Sequence, residues 1–194
     1  EDLLGGGINK QDQASLASLL KDEVVLVTGA AGSIGSEISR QLAVYGAQKV
    51  VFYDWWENGM FELRNEILEI NPEGDYEFII GDMKDKKRLS FVMRTHKPTT
   101  VFHAGAYKHV PLMEDNASEA IKNNIFGTKI VAEVAIKNGV SKFVLVSTDK
   151  AVNPTNIMGA TKRAAEKIIN ILSESQKKTT FCAVRFGNVV NSNG

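Results

Sequence analysis

The stretch Val24-Val-Leu-Val-Thr-Gly-Ala-Ala-Gly-Ser-Ile-Gly35 decides how this chain reads. Its four apolar residues, mostly β-branched, run uninterrupted to Val27, as in a parallel strand covered on both faces, and glycines at 29, 32 and 35 follow at once. Gly29 permits a tight turn, Gly32 removes the Cβ that would keep backbone amides from a pyrophosphate, and Gly35 lets a helix pack closely on the strand. A helix over about Ser33 to Tyr45 then turns its free N–H groups and positive dipole end toward a bound anion. Glycines gather in turns for bland reasons, so their placement carries the reading. They follow a strand and open a helix. Asp54 closes the next apolar run, Lys49-Val-Val-Phe-Tyr-Asp54, where a carboxylate meets adenosine ribose hydroxyls, and a dinucleotide is the expected ligand.

Outward from that turn, apolar runs and helical spacings alternate. Ile34, Ile38 and Leu42 mark the inward stripe of the first long helix, and Gly46 stands where glycine ends one. Met60, Leu63, Ile67 and Leu68 recur at helical spacing until Asn71-Pro72 stops them. Tyr76 to Ile80 reads as a third strand, Gly81-Asp-Met-Lys-Asp85 as a loop with a helix N-cap, and Leu89, Val92 and Met93 as the buried side of the next helix. A fourth strand, Thr99 to His103, runs into the small residues Ala104-Gly-Ala106. One continuous helix is expected from about Ala117 to Asn138, with Ile121, Ile125, Ile130, Val131 and Val134 inward and Gly139 closing it. Lys142 to Val146 is strand five, Met158 to Leu172 a helix, and Thr180 to Phe186 strand six. This alternation predicts an α/β fold, a doubly wound parallel (Rossmann) sheet with right-handed crossovers and strand order 3-2-1-4-5-6. Residues 22–194 read as one dinucleotide-binding domain. Residues 1–21 read as a lead-in whose Leu16, Leu19 and Leu20 share a helical face and dock beside it.

Composition narrows the function. The 194 residues suffice for one well-buried domain. With 23 basic and 23 acidic residues the chain advertises neither nucleic acid nor an anionic membrane surface, so an anionic ligand must be held by local geometry. The lone Cys182 cannot form an internal disulfide, which fits a reducing compartment, and a cytoplasmic location is expected. No apolar stretch approaches the ~20 residues that span a bilayer, no signal peptide is evident, and no metal site is expected.

Ligands of open α/β sheets sit at the carboxyl ends of the strands. There the sharpest group is Ser147-Thr-Asp-Lys150, which places hydroxyls, a carboxylate and an ammonium together. Met158 and Lys162, at i and i+4, share one face of the following helix. On these residues alone, a solvated Asp149–Lys150 turn and a surface Lys162 remain an alternative.

The chain resembles the extended short-chain dehydrogenase/reductase family through Thr28-Gly-Ala-Ala-Gly-Ser-Ile-Gly35, Gly81-Asp82 and Ala104-Gly-Ala106. Within it the chain looks closest to the bacterial nucleotide-sugar 4,6-dehydratases that act on UDP-N-acetylglucosamine in polysaccharide and glycan synthesis. The matching strings are His103-Ala-Gly-Ala-Tyr-Lys-His-Val-Pro-Leu-Met-Glu114, Asn123-Asn-Ile-Phe-Gly-Thr128, Ser147-Thr-Asp-Lys-Ala-Val-Asn-Pro154, Ile157-Met-Gly-Ala-Thr-Lys162 and Arg185-Phe-Gly-Asn188. One departure touches the chemistry: the wider family has tyrosine four residues before the helix lysine, as the base for the sugar hydroxyl, whereas this chain has Met158. A thioether exchanges no proton. Met158 either packs only or marks a reassigned base, and a subgroup of these dehydratases resembles the chain in having methionine there.

The resemblance implies NAD, contacted by Gly29, Ala31, Gly32, Ser33, Ile34, Gly35, Asp54, Asp82, Met83, Ala104, Gly105, Ala106 and Lys162. Asp82 reads equally as a helix cap. A 2′-phosphate would be repelled by Asp54, and no arginine adjoins it in sequence, the closest being Arg64. The implied partner is a UDP-sugar, met by Lys108 and Asn188. In the implied reaction Thr148 contacts the carbon 4 hydroxyl, Asp149 is acid for the departing hydroxyl and Lys150 is base at carbon 5. Lys150 must lose its proton to act, which calls for burial or the cationic neighbour Lys162. Asn124 and Thr128 are expected to tie backbone beside the cofactor, His103 to be a core histidine, and Arg185 to be structural. Family members continue into a smaller substrate-binding region, so that region is expected to be largely absent from this chain. A homo-oligomer is expected, with any tether to the inner membrane outside residues 1–194. Two rivals stand beside this reading: a 4-epimerase, which needs the hydride steps without elimination but would carry the missing tyrosine, and a non-catalytic dinucleotide-binding regulator, which would not need Thr148, Asp149 and Lys150.

Overall fold

The computed structural model describes residues 10–187 and 189. A helix α1 (Lys10–Leu20) leads into strand β1 (Val24–Thr28), helix α2 (Ser33–Tyr45), β2 (Lys49–Asp54), α3 (Glu57–Ile70), β3 (Tyr76–Ile80), α4 (Lys86–His96) and β4 (Thr100–His103). The second half holds α5 (Val110–Asp115), α6 (Ala117–Ala120), a π-helical segment (Ile121–Gly127), α7 (Thr128–Lys137), β5 (Lys142–Thr148), a 3₁₀ turn (Asp149–Ala151), α8 (Ile157–Ser175) and β6 (Thr180–Phe186). All strand pairs are parallel, in the order β3-β2-β1-β4-β5-β6 that the sequence predicts.

Side chains alternate between the two layers, as the period of a strand requires. Val25, Val27, Val50 and Phe52 face α2 and α3, with Leu42, Met60, Leu63 and Ile67 opposite them. Leu26, Val51, Tyr53, Val101, Phe143 and Leu145 face the other way, onto Leu89, Val92 and Met93 of α4, Val131 and Val134 of α7, and Ile169 of α8. Full burial of each such apolar side chain contributes about 1.5–3 kcal/mol. Covering both faces explains why these strands read as uninterrupted apolar runs.

Several local expectations change. The inward face of α2 is Gly35, Ser39, Leu42 and Ala43, with Ile38 partly buried against the same layer as expected, while Ile34 lines the cleft instead. On α1, Leu20 packs against the α2–α3 layer but Leu19 is 68% exposed, so only part of the leucine face is used. The helix predicted from Ala117 to Asn138 is interrupted. Its π-helical turn winds wider and takes up an extra residue, so that the consecutive Asn123 and Asn124 are both buried while Ile121 is exposed. Asp85 caps α4 by accepting from Lys87 and Arg88 N–H, both at 3.0 Å.

Candidate active site

The carboxyl ends of the strands open onto a cleft of about 1150 Å³, lined from Gly29 in the first turn to Gly187 after β6. That exceeds the roughly 300–1,000 Å³ of a single small-molecule site and leaves room for two ligands side by side. Gly29 turns with φ +73°, and a Cβ there would lie 2.4 Å from Gly105 N, so the β1 and β4 turns touch backbone to backbone. A Cβ on Gly35 would lie 1.9 Å from Gly29 O, which locks the start of α2 against the turn. Gly32 is tight only against Gly29 O and lines the cleft with Ala31, Ser33 and Ile34. This is a cradle that side chains would fill, with amides of the first helical turn at its floor.

At the β2 end, Asp54 is buried and braces the cradle: Oδ2 accepts from Ala31 N–H and Oδ1 from Trp56 N–H, both at 3.0 Å. Trp55 and Trp56 line the cleft half-exposed, and the ring of Trp56 covers Gly59. Neither was singled out by sequence motif; two exposed aromatics directly after the carboxylate were the available signal. Arg40 also lines this part of the cleft, although it is remote from Asp54 in sequence. Its guanidinium donates to Glu37 at 3.0 Å and Glu66 at 2.7 Å, so both carboxylates occupy it. Asp82 does not cap α4. It closes a short turn onto Lys84 N–H at 2.8 Å and pairs with Lys84 Nζ at 3.0 Å. Met83 lies in the cleft wall over Gly105 and Gly127, whose added Cβ atoms would come within 2.9 and 2.8 Å of it. Tyr53 donates to Asp82 O at 2.9 Å, and burial pushes its phenol up to about 12.

At the β4 end, His103 is a core residue. Thr128 Oγ1 donates to Asn124 O at 2.7 Å, so it must accept from His103 Nε2 at 2.9 Å, which leaves Nδ1 to accept from Thr28 at 2.6 Å. Burial, and secondarily Lys162, holds the imidazole neutral, at about 3. Asn124 grips Tyr107 by both backbone groups, accepting its N–H at 2.8 Å and donating to its carbonyl at 3.0 Å, and donates to Thr161 of α8 at 3.0 Å. The chain after Ala104-Gly105-Ala106, which lines the cleft, is thereby fixed. Lys108 reaches back across it to Ser33 Oγ at 3.2 Å. Asn188 lies outside the described residues.

At the β5 end, Thr148 and Lys150 line the cleft, whereas Asp149 between them is not among the residues that line it. Thr148 donates to Asp149 Oδ1 at 3.0 Å and Lys150 Nζ approaches the same oxygen at 3.4 Å. The Thr148 hydrogen bond first, and Lys150 next, hold the Asp149 carboxyl below its ordinary range. Met158 and Lys162 point into the cleft from one face of α8. Met158 packs on Met113 and Ala120, with Tyr107 beside them. The burial sought for Lys150 falls on Lys162 instead, 6% exposed and donating to Val146 O at 2.7 Å; burial brings its ammonium down to about 8. Lys150 is part-exposed and paired with Asp149. One turn beyond Lys162, buried Glu166 accepts from Arg185 through two nitrogens, at 2.9 and 2.8 Å, and from Ser147 at 2.7 Å. Arg185 is thus a clamp on the strand edge, as expected. Among the described residues no helix is long and apolar enough to cross a membrane.

Known proteins agree with this architecture. The chain is 50% identical over its whole length to the capsular polysaccharide biosynthesis protein CapD of Staphylococcus aureus, of which it covers 33%. It is 40% identical, over 88% of its length and 50% of the relative, to a UDP-N-acetylglucosamine 4,6-dehydratase (inverting) of Campylobacter jejuni. It is also 36% identical, over 89% of its length and 51% of the relative, to a UDP-glucose 4-epimerase of Rickettsia canadensis. Among solved structures, a UDP-glucose-4-epimerase from Stenotrophomonas maltophila with bound NAD and formylated UDP-arabinopyranose superposes with a TM-score of 0.77 at 24% identity, covering 84% of this chain and 52% of that one, a likeness of fold. The chain therefore spans about a third to a half of the relatives it matches. With the family model for polysaccharide biosynthesis protein matching residues 25–194, on this sheet and around this cleft, the chain belongs to that family.

Proposed function

We propose that the full-length protein is a UDP-N-acetylglucosamine 4,6-dehydratase that holds NAD in this cleft. The observation that carries the reading is the meeting of Thr148, Lys150 and buried Lys162 in one cleft at the end of β5, with Asp149 bonded to the first two. A regulator has no use for an acid and a base at that point.

The cradle suits a dinucleotide: Gly29 and Gly105 leave no side chain in the way, Asp54 stands beside the turn, and Arg40 is already neutralised by two glutamates, so the adenosine end favours NAD over NADP. Lys162, which lines the same cleft, would hydrogen-bond the nicotinamide ribose, and Lys108 is apt for a sugar-nucleotide diphosphate. NAD held there would supply the hydride acceptor for carbon 4 of the sugar and the hydride donor for carbon 6. Thr148 hydrogen-bonds the carbon 4 hydroxyl. Lys150 removes the carbon 5 proton, and Asp149 protonates the hydroxyl leaving carbon 6. Asp149 is ionised as it stands, because Thr148 and Lys150 both bond to it. Those are the two residues that would turn to the sugar, and their departure removes what holds the carboxyl below its ordinary range.

The relatives named as epimerases favour a second reading, 4-epimerisation, in which Asp149 remains a carboxylate. Incubation of the full-length protein with UDP-N-acetylglucosamine, followed by mass spectrometry, separates the two. Loss of one water without net change in NAD supports the dehydratase; an isomer of unchanged mass overturns it.

A further inference from the structure

The dehydratase reading leaves one proton without a titrating acceptor. Oxidation at carbon 4 removes a hydride from the carbon and a proton from its hydroxyl, while the O–H electron pair becomes the second bond of the ketone. Met158 can accept no proton, and Thr148 is an aliphatic alcohol, which is not among the side chains that titrate in the usable range. The cleft wall contains two phenols among the described residues, Tyr53 and Tyr107. Tyr53 is fully buried and its hydroxyl is committed to Asp82 O.

Tyr107 is placed differently. It lines the cleft, and its side chain packs in the same small cluster as Met158 and Met113. Both its backbone groups are gripped by Asn124, which is itself bonded to Thr161 of α8, three residues beyond Met158. The π-helical turn that buries Asn124 therefore fixes Tyr107 against the helix that carries Met158 and Lys162. We propose that Tyr107 is a catalytic residue whose phenol oxygen takes the proton of the carbon 4 hydroxyl as its own O–H proton passes to water. The sugar's C–H electron pair leaves as hydride to the bound dinucleotide, the O–H pair becomes the second bond of the ketone, and the phenol ends the step as it began. Thr148 keeps its hydrogen bond to the same hydroxyl and orients it.

The inference rests on the dehydratase reading, and its test separates the two. In the full-length protein, Tyr107→Phe removes one oxygen and leaves the backbone grip of Asn124 in place. The expected result is a fall in turnover of roughly 10²- to 10⁴-fold, the usual cost of losing a general acid or base, with NAD affinity within about twofold of the parent. The deuterium isotope effect with substrate labelled at carbon 4 rises, because oxidation becomes limiting. Adding Met158→Tyr to Tyr107→Phe returns a phenol to the same cluster, and a gain of about tenfold or more is expected. A Tyr107→Phe protein within threefold of the parent, a double variant that gains nothing, or joint loss of NAD binding and turnover overturns the assignment. A parent protein that removes no water defeats the dehydratase reading itself.

Discussion

Glu166→Gln tests the network that pins β5, α8 and β6 together beneath the cleft. The substitution keeps the shape and one acceptor oxygen but removes the charge that Arg185 holds at 2.9 and 2.8 Å and Arg163 at 3.2 Å. The Arg185 clamp first, with Ser147 and Arg163, brings the carboxyl from its ordinary 4.5 down to about 2. At ~1.4 kcal/mol per pH unit this corresponds to about 3 kcal/mol. Arg185 and Arg163 are 42% and 44% exposed, so water screens part of it, and a loss of about 1–2 kcal/mol is expected at neutral pH. The folded value lies below the unfolded one, so the stabilisation is complete above pH ~4.5 and disappears as the pH falls toward about 2. Urea unfolding of parent and variant, at neutral pH and at steps down to about pH 2.5, measures it. The two stabilities should converge in acid. Equal stability at neutral pH, or a gap that does not narrow in acid, refutes the reasoning.

Four other outcomes are expected. Gly29→Ala meets both a left-handed backbone and a Cβ 2.4 Å from Gly105 N, and should cost about 3 kcal/mol, or roughly 6–12 °C in Tm; an unchanged melting curve contradicts the backbone contact. Asp149→Asn and Lys150→Met should each lower water loss by roughly 10²- to 10⁴-fold while calorimetry shows NAD binding intact, and near-normal turnover would make the residue a bystander. Equilibrium titration should give tighter binding of NAD than of NADP, the reverse result removing the role assigned to Asp54. Met158→Leu conserves volume in the Met113–Ala120 cluster and should cost under about 1.5 kcal/mol with turnover within about tenfold; a larger loss of rate would give the thioether a part in the chemistry.

What could be read in advance follows from local physics. The strands were legible because burial on both faces demands unbroken apolar runs, and Gly29, Gly35 and Gly46 marked their turns because each position excludes or strains a side chain. The break between Ala120 and Thr128 was not legible. Isoleucines at 121 and 125 imitate an inward stripe, whereas two buried asparagines, bonded to each other and to Lys84, Tyr107 and Thr161 elsewhere in the chain, set the winding. The short α5, opened by Val110-Pro111, carries too few residues for a periodicity. In the site, Thr148, Lys150, Met158 and Lys162 could be gathered from strand ends and helix spacing. The approach of Arg40 to the cleft and the company of Tyr107 and Met158 are products of tertiary packing and have no counterpart in spacing.

The bracing of the glycine turn by Asp54 bears on any attempt to redesign the cofactor site. One carboxylate oxygen satisfies Ala31 N–H and the other Trp56 N–H. Exchange of Asp54 for a small neutral residue, the obvious way to admit a 2′-phosphate, would leave both amides without their acceptor and loosen the loop expected to embrace the pyrophosphate. Freeing Arg40 from Glu37 and Glu66 would supply a cation but not the missing acceptor. Nucleotide preference in this chain is a property of the loop and the acidic residue together, so a variant that accepts NADP must rebuild the turn as well as the charge.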